Sequence, residues 1–236
     1  IKLVKKLKRL AIIPARLGSQ RIKQKNIKLF FGKPMIYYPI TALKKSNIFD
    51  KIFVSTESNK IKNISKNLGA DVDFLRPKNL SKDEITLKEV LLDVLKNLAS
   101  NGQNFDEIWM VYACNPLLDS EDIIKAKNQF KKTNGQYPLI SLKEYEAPIE
   151  WAFKKEKNFF KSTNKKKLYL DSKKIKKSFF ECASFVIYKK KHISVKKNHY
   201  RYFGYILPND GAVDIDNRND WNHALSLFKI KNNAKI

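Results

Sequence analysis

The chain has 236 residues, 43% hydrophobic and 12% aromatic, which is enough for one sizeable packed core and too apolar for global disorder. Lys+Arg total 48 against 23 Asp+Glu, a formal net charge of +25, and no apolar run reaches the ~18–20 residues of a membrane span. Almost all of that charge is lysine, since arginine occurs only at Arg9, Arg16, Arg21, Arg76, Arg201 and Arg218. A joint excess of Lys, Asn and Ile is what an AT-rich coding sequence produces without selection for function. A nucleic-acid surface would instead interleave arginines with aromatics on one face. The charge should still draw in anionic substrates. Residues 1–10 mix lysines with apolar residues, lack a separate apolar core segment, and do not read as a signal peptide. Cys114 and Cys182 lie far apart, show no metal spacing and suit a reducing cytoplasm.

In chain order, Leu10 to Pro14 reads as a buried strand ending in a polar loop with Gly18 and Ser19. Met35, Ile36, Ile40 and Leu43 fall at helical spacing, with Pro34 at the helix start and Pro39 placed to bend it. Lys51 to Ser55 is a second strand. Ile61, Ile64 and Leu68 form a helical stripe that stops at Gly69. Val72 to Leu75 reads as a third strand. Leu87 through Leu98 is the cleanest amphipathic helix, Glu107 to Ala113 another strand, and Ser120 opens a helix through Phe130. After Pro138 the regularity weakens. Lys154 to Lys177 holds eleven lysines and reads as a solvated insert. Ser184 to Tyr188 and Phe203 to Leu207 return as strands, and Trp221 to Phe228 form a closing helix. Strands alternating with helices predict an α/β fold: a mostly parallel twisted sheet with helices on both faces, and ligands at the strands' C-terminal ends.

The segment Ala11 to Asn26, A-I-I-P-A-R-L-G-S-Q-R-I-K-Q-K-N, runs a buried strand into a loop with several cations. Backbone N–H groups there can cradle phosphate oxygens while Arg and Lys offset their charge. It is neither a P-loop nor a dinucleotide fingerprint. Asp214 and Asp216 are spaced i and i+2, which on a strand puts both carboxylates on one face, suited to a hard cation such as Mg²⁺. The alternative is that D-I-D caps the turn before the last helix. His192, His199 and His223 share no metal spacing, and neither cysteine has a nearby histidine to make it a nucleophile.

The Ala11–Asn26 segment resembles the nucleotide-binding signature of the acylneuraminate cytidylyltransferase family, I-I-P-A-R-x-G-S-K-R-I-P-x-K-N. Similar blocks follow in order: Gly32 to Ile36, Val54 to Glu57, Phe74 to Asp83 and Val213 to Trp221. The Tyr112 to Leu118 and Glu146 to Ile149 segments are most like the branch that acts on pseudaminic acid. The resemblance spans nearly the whole chain. It implies a single Rossmann-like nucleotidyltransferase domain over 1–236, with a small inserted dimerisation lobe at about 140–205. It implies a homodimer that transfers CMP from CTP to an acidic nonulosonic sugar and releases pyrophosphate. Arg16, Lys25 and Asp216 would be catalytic. Ala15, Gly18, Ser19, Gln20, Arg21, Asn26, Arg76, Cys114 and Asn115 would bind substrate, Asn26 by reading cytosine. Asp214 and Asp216 would hold Mg²⁺ or Mn²⁺.

The chain departs from the pattern at named positions. Gln20 stands for a lysine, Lys23 for a proline, and Cys114–Asn115 for a Thr-containing pair. Glu181 to Phe185 stands for D-A-G-Q-F at the sugar pocket. The alternatives are activation of 3-deoxy-manno-octulosonate on the same scaffold, or a basic nucleic-acid-binding protein.

Overall fold

A computed structural model describes residues 7–193 and 201–233. In chain order these form β1 (Arg9–Pro14), β2 (Leu29–Phe30), β3 (Lys33–Pro34), α1 (Tyr37–Ser46), β4 (Lys51–Ser55), α2 (Asn59–Asn67), α3 (Leu87–Ser100) and β5 (Glu107–Val111). Then come α4 (Ser120–Lys132), β6 (Leu139–Glu144), β7 (Phe153–Glu156), β8 (Phe159–Ser162), β9 (Phe179–Lys189), β10 (Phe203–Ile206) and α5 (Arg218–Asn233). The main sheet has the order β10-β6-β9-β5-β1-β4. β1 pairs in parallel with β4 and β5, and β6 with β10, while β9 runs antiparallel between β5 and β6. The expected mostly parallel α/β sheet is present, with one long reversed strand at its centre.

Alternation along β1 explains the layering. Ala11 and Ile13 point to one face, packing with Val54, Trp109, Val111 and Phe185 against α1 and α4 through Ile36, Ile40, Leu43, Ile123 and Phe130. Leu10 and Ile12 point to the other face, where Phe53, Ile108 and Met110 meet α3 through Leu91, Val94 and Leu98. Each such fully buried Leu, Ile or Phe contributes roughly 1.5–3 kcal/mol. α3 begins with a reciprocal cap: Thr86 accepts from the Glu89 N–H, and Glu89 accepts from the Thr86 N–H at 2.8 Å. A third cluster joins α5 to the loop after β1, through Ile22, Phe30, Met35, Tyr38, Ile215 and Trp221.

Several expectations need correction. Val72 to Leu75 is not a strand: only Asp71 pairs with β4, by a single bridge to Phe53. Lys51 binds Asp71 and Asp73, and the backbone rejoins the Thr56 carbonyl only at Arg76 before Pro77 turns it away. Pro39 takes no hydrogen bond away from α1. It is the third helical residue, where an N–H would have no partner inside the helix. α4 is capped by Asp119, whose carboxylate accepts from the Glu121 N–H at 3.0 Å, and Ser120 is already helical. Asp214 and Asp216 lie on an irregular segment outside any sheet, not on a strand. Gly69, with φ +82°, ends the α2 stripe as expected. Between β6 and β9 the chain makes its excursion, residues 145–178, carrying the exposed hairpin β7–β8.

Candidate functional site

A cleft of about 700 Å³ opens at the C-terminal end of β1. Its basic wall comes from the loop after Pro14, with Arg16, Ser19, Gln20, Arg21, Lys25 and Asn26. Ser19 folds this loop: its hydroxyl donates to the Ile22 carbonyl at 2.8 Å and accepts from the Lys25 N–H at 2.7 Å. Lys25 and Asn26 then sit on one short 3₁₀ turn. Asn26 is buried and fixed on both sides. Its Nδ2 donates to the Arg16 carbonyl at 2.8 Å, and its Oδ1 accepts from the Cys114 thiol at 3.2 Å.

The acidic wall is the segment before α5. Ile215 is fully buried, so its neighbours Asp214 and Asp216 both reach the cleft. Asn217 and Asp220 cap α5: Asn217 Oδ1 accepts from the Asn219 and Asp220 N–H groups, and Asp220 accepts from those of Asp216 and Asn217 at 2.8 Å. The D-I-D carboxylates do not serve that cap. Asp216 instead pairs with Arg21 at 2.9 Å and Lys25 at 3.5 Å, and Lys25 also donates to the Ile215 carbonyl. Asp214 binds its proton more tightly than an ordinary carboxyl. Partial loss of hydration raises its pKa most, the nearby negative charges of Asp216, Asp220 and Glu181 add to this, and Lys25 opposes it.

The roof is residues 76–87 with Val90. Arg16 binds the Asp83 carboxylate at 2.5 Å and the Ser81 carbonyl at 3.4 Å. Arg76 is buried, donating to Ser81 Oγ at 3.0 Å and to Glu57 at 3.2 Å. Tyr112 closes the far end and donates to Glu181 at 2.6 Å, carried there by the start of β9.

Of the residues singled out from sequence, Arg16, Ser19, Gln20, Arg21, Lys25, Asn26, Arg76, Asp214 and Asp216 line this one cleft. The others stand behind it. Ala15 is buried and extends the β1–β4 ladder by donating to the Ser55 carbonyl at 2.9 Å. Gly18 borders open space, since a Cβ there would meet nothing within 4 Å. Cys114 backs Asn26, and burial pushes its thiol up to about 12, far from a nucleophile's range. Asn115 is buried and donates to Ser184 Oγ at 2.6 Å. Among the histidines, His192 is buried with Nδ1 accepting from the Lys189 N–H, His223 is exposed, and His199 lies outside the described residues. Sequence reasoning passed over Glu57, Ser81, Asp83 and Tyr112. All four lie inside the quoted motif segments, but nothing in spacing alone marks their partners.

No helix among the described residues is long and apolar enough to cross a membrane, and none of their His, Cys, Asp and Glu side chains form a ready-made cluster of three for a metal. The cytidylyltransferase family profile matches residues 10–221. The chain is 32% identical, over 97% of its length and 99% of the other's, to the pseudaminic acid cytidylyltransferase of Campylobacter jejuni subsp. jejuni serotype O:2. It is 28% identical, over 96% of its length and 54% of the other's, to the N-acylneuraminate cytidylyltransferase of Escherichia coli O18:K1:H7. Its fold is like that of a CMP:2-keto-3-deoxy-manno-octonic acid synthetase solved with CTP, with TM-score 0.70, 13% identity and coverage of 95% and 99% of the two chains. A basic loop after the first strand, an acidic pair facing it and a match across nearly the full length all agree: this chain belongs to the cytidylyltransferase family.

Proposed function

We propose that the cleft binds CTP and an acidic nine-carbon sugar of the pseudaminic type, and joins them as a CMP-sugar with release of pyrophosphate. The observation that carries the reading is the opposition of Arg16, Arg21 and Lys25 to Asp214 and Asp216 across one cleft. The near full-length likeness to a pseudaminic acid cytidylyltransferase supports the choice of sugar. In the reaction the sugar's anomeric hydroxyl attacks the α-phosphorus of CTP. A new O–P bond forms, the bond to the β-phosphate oxygen breaks in line, and the hydroxyl proton is released. Such chemistry needs positioning and charge neutralisation more than covalent help.

This chain's residues divide that work. Arg16 and Lys25 face the polyphosphate and offset charge on the leaving pyrophosphate, with Arg21 beside them. Ser19 and the open backbone at Gly18 leave room for a phosphate to approach. Asn26, held by Arg16 and Cys114, presents its amide to the base. Tyr112 and Glu181 border the sugar end.

Asp214 and Asp216 fit a hard divalent cation. They supply two carboxylates without an all-protein cage, which suits an ion that takes its other oxygens from phosphate. The crowding of negative charge around Asp214 is what a bound cation would relieve. Held there, Mg²⁺ or Mn²⁺ would supply electrostatic neutralisation of the phosphates.

The exposed Phe159, Phe160 and Tyr169 on the excursion support a homodimer through that lobe, checked by sedimentation. The two unpaired cysteines, Cys114 and Cys182, support a cytoplasmic setting. The decisive experiment is pyrophosphate release from CTP with pseudaminic, legionaminic, sialic and 3-deoxy-manno-octulosonic acids. Turnover is expected with the nine-carbon acids and greatest with pseudaminic acid. Turnover with the octulosonic acid alone would replace this reading with the one the fold likeness also permits.

A further inference from the structure

One carboxylate outside the cleft lining holds two of its walls together. Glu57 follows β4, and its side chain is 17% exposed. Its Oε1 accepts from the Leu17 N–H at 2.7 Å, in the basic loop, and its Oε2 accepts from Arg76 Nη2 at 3.2 Å, at the foot of the roof. Arg76 passes the connection to Ser81 Oγ, and the Ser81 carbonyl accepts from Arg16 Nη1. Arg16 and Leu17 are consecutive. The contacts therefore close a ring: Leu17, Glu57, Arg76, Ser81, Arg16. Two arginines facing the cleft are oriented by one acid that does not face it.

The charge balance makes the acid necessary. Burial lowers the Arg76 pKa, and Arg16 nearby lowers it further; Glu57 is the principal opposing influence, by hydrogen bond and by charge. With the Arg76 side chain only 4% exposed, water does little to replace that partner.

We propose that Glu57 is a positioning residue for nucleotide binding: it fixes the Leu17 amide and the Arg76 guanidinium so that Arg16 and Arg76 meet the ligand in one orientation. The proposal rests on the CTP reading above. Glu57→Gln is the informative change. A glutamine has one oxygen, so it satisfies the amide or the guanidinium, and its NH₂ opposes the other donor. Glu57→Asp keeps the charge but is one methylene shorter and cannot span both partners.

The experiment measures CTP binding by calorimetry together with pyrophosphate-release kinetics and melting temperature. In E57Q the CTP dissociation constant and KM should rise by about tenfold or more, and kcat should fall too, because Arg16 also faces the leaving pyrophosphate, but by a smaller factor. E57D should fall between E57Q and the unchanged chain. A double-mutant cycle with Arg76→Gln should be non-additive, E57Q adding little once Arg76 is gone. Equal CTP affinity in E57Q, or additive losses in the cycle, would overturn the proposal. Should E57Q not fold, E57D and its own cycle with R76Q decide by the same two criteria. A wild-type chain that binds no CTP would overturn the functional reading itself, and this inference with it.

Discussion

The cleft and the lysine-rich excursion are both basic, and they use their charge in opposite ways. Around the cleft the three arginines and Lys25 are each met by an acid from another part of the chain: Arg16 by Asp83, Arg21 and Lys25 by Asp216, Arg76 by Glu57. On the excursion, eleven lysines from Lys154 to Lys177 share few acids, and two of the ion pairs, Lys161–Glu156 and Lys177–Glu144, are exposed. Exposed pairs of this kind contribute little. In the hairpin Lys154 stands directly opposite Lys161, a like-charge pair that weakens an already isolated two-stranded unit. The lesson is that net charge locates nothing. What marks the functional end is that its cations are held, in opposition to carboxylates, at one place.

That contrast can be broken in four ways. The largest effect is expected from Asp216→Ala, which removes the acid shared by Arg21 and Lys25 along with one of the two carboxylates proposed to hold a cation. Pyrophosphate release should fall by about 10³-fold or more while circular dichroism stays native. Full turnover of that variant in excess Mg²⁺ would sink the assignment. Lys25→Met should cost on the order of 10²-fold in kcat/KM, and an undiminished rate would move the phosphate-facing role elsewhere in the loop. At the seam between the two regions, Ala183 sits at φ 50° beside the register shift of β9 against β6. That backbone favours glycine, so Ala183→Gly should stabilise the protein by about 0.5–1 kcal/mol, read as a melting temperature raised by a few degrees. The smallest effect belongs to the excursion. Changing Lys165, Lys166 and Lys173 together to Gln should leave kcat/KM within about twofold at physiological salt. A tenfold loss there would show that the excursion's charge is not merely solvated.

The parts of this protein that repeat locally could be read from sequence, and the parts that depend on long-range meeting could not. β1, β4, α3 and the closing helix announce themselves by apolar runs and helical stripes. The basic loop and the D-I-D pair were legible as chemistry because each is contiguous. The ring through Glu57 was not, because Leu17, Glu57 and Arg76 are distant in sequence and no periodicity relates them. Val72 to Leu75 has the composition of a strand, yet the ladder stops after Asp71 because the chain must turn to bring Arg76 beneath the roof. Asn217 and Asp220 carry a capping signal that sequence reading passed over, and it was this cap that freed the two aspartates. The reversed direction of β9 was also hidden. Strand composition does not encode direction, and the excursion that permits the reversal has little periodicity of its own.

That reversal has a structural economy. β6 ends and β9 begins at the same rim, closed by the Glu144–Phe179 pairing and by the Tyr145 N–H donating to the Ser178 carbonyl at 3.0 Å. Everything between is a loop whose two ends are already tied together. Doubling the length of such a loop costs only ~0.6 kcal/mol in closure entropy, because the anchoring ladder is unchanged. Residues 145–178 therefore form an exchangeable cassette beside Tyr112 and Glu181, whose size and surface can be rewritten while the basic loop after β1 stays as it is.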